Sequence, residues 1–383
     1  MRTRRRPTLI LSLMFVAVAC SADGDSAGST ESSPTPSTDP APAEVAFPDP
    51  EWEEVDPGSA GFDPDALDAL VAEAAATGSH CLAVTRAGRL VGEWYFDGWG
   101  TDDTTHWFSA TKSLAGTLIG IAQDDGLLDI DDPVSAYIPE WQGTPSEFVT
   151  IGNLLSDDSG RFWSFQTDYR ELPVAASSTA YAIVLDQEHP PGVHWEYNNA
   201  AIQVLEGVLE ATIGGDTSVW ARERLLEPVG MQGRWHTDPS GDIQMFTGYE
   251  GSCRDGLRFG NLMLAGGTWA GEQIVSRQWV GAATEEPSQD LNAAYGLLWW
   301  RNDDEGWLTI GEGGHRVPAV DEVYWPGAPL DAFAALGNGG QAVVVHPSTG
   351  VVMSRLAPVR ELAASTVPAE LQSLLAAADQ AGD

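Results

Sequence analysis

Apolar and polar positions follow two periods along this chain, and the switches between them divide it. Leu67, Leu70, Val71 and Ala74 recur at helical spacing behind Asp63 and Pro64 and ahead of Gly78, which predicts a helix with Asp63 as N-cap. Two apolar stretches, Cys81 to Val84 and Leu90 to Phe96, flank Ala87-Gly88 and predict an antiparallel hairpin. Helical periodicity or good end signals then dominate over Ser109 to Gln123, Thr150 to Leu155, Asn198 to Ile213 and Thr217 to Leu226. Strand-like runs return at Tyr295 to Trp300, Trp307 to Ile310, Ala342 to Val345 and Val351 to Ser354, and a last helix is expected from about Pro368. Strands at both ends around a helical middle predict an α+β fold: an antiparallel sheet flanked by N- and C-terminal helices, plus a mostly helical inserted region. A site at the junction of the two regions is the natural expectation.

The ends of the chain read differently. Residues 1–19 combine a basic start (Arg2, Arg4, Arg5, Arg6) with an apolar run from Leu9 through Ala19, too short for a typical membrane-spanning helix, and are expected to be an export signal peptide. Ala17-Val18-Ala19 precedes Cys20, so cleavage there exposes a cysteine that resembles the lipid-modified residue of bacterial lipoproteins. A lipid anchor through Cys20 on the outer side of the cytoplasmic membrane, or plain secretion, is the expected location. Residues 20–50 are rich in small and polar residues and carry six prolines, a composition that predicts a disordered tether ahead of one folded domain over residues 51–383. With Cys20 set aside, Cys81 and Cys253 remain as an even pair in an exported domain, either a disulfide or two small buried hydrophobes.

Charge narrows the class of partner. The formal net charge is -37, from 56 acidic and 19 basic side chains. Such a surface repels phosphate backbones, so nucleic-acid binding is not expected.

The chemistry starts at Ser109-Ala110-Thr111-Lys112. A serine at a helix start and a lysine one turn later share a face, so their side chains can meet. A serine hydroxyl needs a base, and a desolvated lysine amine can serve because burial disfavours its charged form. Lys112 is the only lysine among the 19 basic residues. Arginine, used everywhere else, cannot give up its proton in this role.

From these residues outward the chain resembles the serine β-lactamase-related and penicillin-binding-protein-like hydrolases, which include class C β-lactamases, D-alanyl-D-alanine peptidases, related esterases and nylon-oligomer (aminohexanoate-dimer) hydrolases. The resemblance runs over roughly residues 52–360. Besides Ser109 and Lys112 it rests on Tyr197-Asn198-Asn199 after Pro191-Gly192, on Asp132 through Tyr137, on Leu154-Leu155 with Ser159-Gly160, and on Arg254-Asp255 through Arg258-Phe259-Gly260. It implies a serine hydrolase acting through a Ser109 acyl-enzyme. Tyr197 would share proton transfer with Lys112, its phenol lowered by the nearby ammonium, and Asn199 would bind a substrate carbonyl. The third family motif, Lys-Thr-Gly or a His-Gly variant, is matched by Asn338-Gly339-Gly340, and by motif position the N–H groups of Ser109 and Gln341 would form the oxyanion hole.

Asn338 departs from the family lysine. Losing that charge weakens recognition of a substrate carboxylate, so neutral carboxylic esters or amides are expected ahead of penicillins and peptide C-termini. Asp168-Tyr169 resembles a loop pair of the nylon-oligomer branch in which the tyrosine closes over substrate. Trp107, Trp163, Trp195, Trp299 and Trp300 lie near these motifs and suggest an aromatic-walled pocket. A D-alanyl-D-alanine peptidase, a class C-like β-lactamase and a catalytically silent binding lipoprotein are the alternatives. Gly24 through Gly28 mimics a nucleophile elbow but lies in the tether, and Gly337-Asn338-Gly339 with Ala342 mimics a dinucleotide loop but precedes a strand. No paired-ligand histidine spacing occurs, so neither a metal nor another cofactor is expected.

Overall fold

A computed structural model describes residues 45–303, 307–310, 316–317, 323–358 and 367–379. The expected leader, Cys20 and the tether up to residue 44 lie outside the described residues.

Asp63 caps α1 (Pro64–Ala76), its carboxylate accepting from the N–H groups of Asp65 and Ala66 while Leu67, Leu70 and Ala74 face inward. β1 (Cys81–Arg86) and β2 (Arg89–Tyr95) form the predicted hairpin. Ala87 (φ 47°) and Gly88 (φ 77°) supply the paired left-handed residues that a tight turn between twisted strands requires. β3 (Thr105–His106) leads through a short 3-10 turn, Phe108–Ala110, into α2 (Thr111–Asp124). The helical middle consists of α3 (Ile151–Leu155), α4 (Ser178–Ile183), α5 (Asn199–Ile213), α6 (Thr217–Ala221) and α7 (Glu227–Val229). β4 (Arg234–Trp235) and β5 (Tyr249–Gly251) join β3 in a small sheet.

The chain continues through α8 (Cys253–Leu264), the β6 (Thr268–Trp269) and β7 (Glu272–Gln273) pair, α9 (Arg277–Thr284), β8 (Trp300–Arg301) and the β9 (Thr309–Ile310) and β10 (Arg316–Val317) pair. It returns as β11 (Phe333–Gly337), β12 (Gln341–His346), β13 (Val351–Leu356) and α10 (Val367–Ala378). The central sheet has the order β2-β1-β13-β12-β11-β8 and is antiparallel at every pairing. These elements are the expected α+β arrangement.

Side-chain alternation places the two helical layers. Val343, Val345 and Val352 meet α8 at Gly256 and Gly260, where an added Cβ would lie 2.2 Å from Ser354 Oγ and 2.4 Å from Val352 Cγ1. Only glycine lets the helix lie so close. On the opposite face His346 reaches Gln372 of α10 at 3.4 Å, and α10 packs on α1. Cys81 and Cys253 form a disulfide that ties α8 to β1 across 172 residues of sequence. Closing a loop of that size stabilises the fold by roughly 2–5 kcal/mol.

Several expectations need correction. The helix begins at Thr111 rather than Ser109, and the second half of the Thr217 to Leu226 segment is a wider turn, Arg222–Leu226. Of the run Tyr295 to Trp300, only Trp300 enters the sheet, because Leu298 turns to φ 61° and its N–H goes to Leu155 O instead of a ladder. β11 was not among the expected strands, since Phe-Ala-Ala-Leu-Gly offers no β-branched residue.

Candidate functional site

The N-terminal ends of α2 and α5 and the turn end of the β11–β12 hairpin converge on Ser109. Ser109 is half-buried in the Phe108–Ala110 turn, which Phe108 enters at φ 49°, a conformation that costs a non-glycine residue energy. Gly337 of β11 lies directly on this turn: an added Cβ would sit 2.1 Å from Trp107 O and 3.2 Å from Ala110 N. That contact holds the strand against the serine, and sequence reading gave it no role.

Lys112 follows one turn later with 2 % of its surface exposed. Its Nζ donates to Ser109 Oγ at 3.1 Å and to Phe246 O at 2.8 Å, and it lies 4.7 Å from the centre of the Tyr197 ring. Burial drives its pKa down to about 7, against the opposing pull of Asp157 and Asp168. The amine is therefore substantially neutral at neutral pH.

Tyr197 has Ser109 as a side-chain hydrogen-bond partner. Burial, with Tyr169 next in size, pushes its phenol well above the ordinary value. The expected lowering by Lys112 does not occur, because desolvation dominates and the nearby Tyr169, Asp157 and Asp168 push the same way. Tyr197 stacks on Trp300, with centroids 6.0 Å apart. Asn199, at the first turn of α5, is a hydrogen-bond partner of Tyr169, while its Oδ1 is buried without a partner. Tyr169 also stacks on Phe165. Ser109, Lys112, Tyr197, Asn199 and Tyr169 are thus brought together as expected.

Two carboxylates anchor the start of α5. Asp168 accepts from Asn199 N (2.8 Å), Ala200 N (3.1 Å) and Trp163 Nε1 (3.1 Å). Burial raises its pKa to about 6. Asp157 Oδ1 accepts from Asn198 N at 3.2 Å, and burial raises that carboxyl well above the usual range. Negative groups at a helix N-terminus satisfy N–H donors that have no partner within the helix.

The hairpin residues sort differently from the expectation. Asn302 N donates to Ala332 O toward β8, whereas Gly337 O accepts from Gly340 N on the β12 side. Backbone polar groups alternate sides along a strand, so the facing pair Gly337 and Gln341 direct theirs into the hairpin, while Asn338 directs its N–H toward the open edge beside the Ser109 turn. The Gln341 N–H, expected as an oxyanion-hole donor, therefore points into the hairpin. The Gln341 side chain is occupied by Ala357 O and N and by Asn338 O. Gly339 and Gly340 are buried, and their carbonyls accept from Arg355 at 2.9 and 2.7 Å, so they shape the turn and face away from Ser109.

The tryptophans divide as well. Trp107 is completely buried, edge-on to Tyr249 at 4.8 Å, and so supports the serine turn from beneath instead of touching substrate. Trp195 and Trp299 are completely buried too. Only Trp300 and Trp163 bear directly on site residues.

His106, His236 and Glu250 hold potential ligand atoms within 4.8 Å of one another, a grouping that sequence spacing did not reveal. His236 Nε2 (2.6 Å) and Arg234 Nη2 (3.1 Å) already share one Glu250 oxygen, and Thr104 Oγ1 (2.7 Å) takes the other. A cation there would have to displace the guanidinium.

Comparison with known proteins agrees with this geometry. The family description Beta-lactamase matches residues 67–377. The chain is 24% identical over 305 residues to a 6-aminohexanoate-dimer hydrolase of Paenarthrobacter ureafaciens, covering 69% of this chain and 77% of that protein. Among solved structures, a penicillin-binding protein homolog from Caulobacter crescentus superposes with a TM-score of 0.62 at 18% identity, over 83% of this chain and 99% of its own. A D-alanine carboxypeptidase from Burkholderia cenocepacia gives a TM-score of 0.60 at 17% identity, over 82% and 99%.

Proposed function

Because the chain belongs to the beta-lactamase family, we propose that it is a serine hydrolase that cleaves neutral carboxylic esters or amides through an acyl-enzyme on Ser109. The observation that carries this reading is the buried Lys112 amine, 3.1 Å from Ser109 Oγ with its pKa near 7. Neutral Lys112 takes the Ser109 proton as Oγ bonds to the substrate carbonyl carbon. The N–H groups of Ser109 and Asn338 receive the developing oxyanion. Tyr197, kept protonated by its burial, donates to the departing oxygen or nitrogen and regains a proton from the Lys112 ammonium. Lys112 then takes a proton from the water that attacks the ester and returns it to Ser109 Oγ as the acid leaves, and no cofactor enters the cycle.

Asn338 offers no positive charge to a substrate carboxylate, which favours neutral acyl groups. The buried Asn199 amide, whose Oδ1 has no partner, and the Tyr169 ring would bind the chain beyond the carbonyl. The 6-aminohexanoate-dimer hydrolase name of the Paenarthrobacter relative supports hydrolysis of a small substrate. The Cys81–Cys253 disulfide supports an exported chain, since such bonds persist in oxidising compartments.

Intact mass after treatment with a fluorophosphonate probe tests the nucleophile. One adduct is expected on the wild type and none on Ser109→Ala, followed by ester and amide turnover that exceeds nitrocefin turnover. A folded wild-type protein that takes no adduct would make it a silent binding protein of the same fold.

A further inference from the structure

Asp157 is an expensive residue where it stands. It adopts φ 56°, a left-handed conformation that costs a non-glycine side chain of order 1–3 kcal/mol, and only 1 % of its surface is exposed. Its Oδ2 is buried without a partner. Strain and an incompletely satisfied buried carboxyl in one residue call for a compensating role.

The contacts of Asp157 supply one. Its backbone oxygen accepts from Glu196 N at 2.9 Å, and its Oδ1 accepts from Asn198 N at 3.2 Å. These are the residues on either side of Tyr197. The left-handed backbone turns the carbonyl and the side chain of one residue toward the same short stretch. Tyr295 lies close enough to act on the ionisation of the carboxyl, and it packs edge-on to the Tyr197 ring at 6.3 Å. Asp168 secures the next two N–H groups, those of Asn199 and Ala200.

We propose that Asp157 is the positioning residue that brackets Tyr197 and aims its hydroxyl at the group leaving Ser109. This rests on the reading of Tyr197 as the proton donor, and it assigns Asp157 no contact with substrate.

The test compares two ester classes on the same protein. A p-nitrophenyl ester expels a stable anion and needs little protonation, whereas a simple alkyl ester needs a proton on its leaving oxygen. Misaiming Tyr197 should hurt the second class selectively. Asp157→Ala should lower kcat for the alkyl ester at least tenfold with KM little changed, while the p-nitrophenyl ester loses less than about threefold. Asp157→Asn, whose amide oxygen can still accept from Asn198 N, should restore the alkyl-to-p-nitrophenyl ratio to within about threefold of the wild type. Tyr197→Phe serves as the reference. If Tyr197→Phe shows the selective loss and Asp157→Ala lowers both esters in equal proportion, or neither, the positioning role is overturned and the hydrolase reading stands. If Tyr197→Phe itself shows no selectivity, it is the donor role of Tyr197 that fails.

Discussion

The central sheet and the junction where α2 and α5 begin both bury most of their side chains, yet they are made of different materials. Between β12, β13 and α8 the buried surface is mainly valine, leucine and glycine, and every apolar contact contributes to stability. At the junction the buried groups are an amine, two carboxyls, two asparagines and a phenol, arranged around two left-handed non-glycine residues, Phe108 and Asp157. Burying such groups costs stability unless each finds a partner. The sheet therefore supplies the surplus that the junction consumes, and the two regions should fail differently when altered: the sheet by melting earlier, the junction by losing chemistry.

The largest effect that would break this contrast is expected at Gly337, where the two regions touch. Gly337→Ala places a Cβ 2.1 Å from Trp107 O, so either β11 or the serine turn must shift. A displacement of that order at a nucleophile costs on the order of a hundredfold in kcat/KM. A Gly337→Ala protein with wild-type kcat/KM would show that the strand does not set the serine.

A smaller effect sharpens the electrostatic half of the comparison. Lys112 must be neutral to act as base, so kcat/KM should fall tenfold per pH unit below about pH 7 and level off above it. Asp168 favours the protonated amine. Asp168→Asn removes that influence and should move the acid limb to lower pH. A limb that moved upward, or that lay near pH 10 in the wild type, would contradict a desolvated Lys112.

The smallest effect on chemistry is expected from the disulfide, on the sheet side of the molecule. Cys253→Ser should lower unfolding stability by roughly 2–5 kcal/mol in denaturant titrations and leave kcat within about twofold. Alkylation of the unreduced, unfolded native protein should label neither Cys81 nor Cys253. Labelling of both would withdraw the support that the bond gives to export.

How much of this was legible in the sequence depended on how far apart the interacting groups lie along the chain. Ser109 and Lys112 are one helical turn apart, so local spacing revealed them, and the cap at Asp63 was readable for the same reason. The hairpin at Ala87-Gly88 announced itself through its turn. Asp157, Phe246 and Gly337 act on residues 39 to 230 positions away, and no local period carries such information. The direction of the Gln341 N–H was not legible because motif position does not reveal which way a strand turns its N–H groups; the backbone bonds of Ala332 and Gly337 do. Trp107 was misread because nearness in sequence to a catalytic serine does not distinguish a residue above it from one beneath it.

The solitary lysine has one more consequence, for anyone handling the protein. Lys112 is the only lysine in the chain and is almost completely covered, so the folded surface presents no lysine amine to acylating dyes, aldehyde fixatives or amine-coupled supports. Apart from the chain's own α-amino group, uptake of such a reagent would report directly on the opening of the reaction centre, giving a chemical gauge of its accessibility with no background from the rest of the molecule.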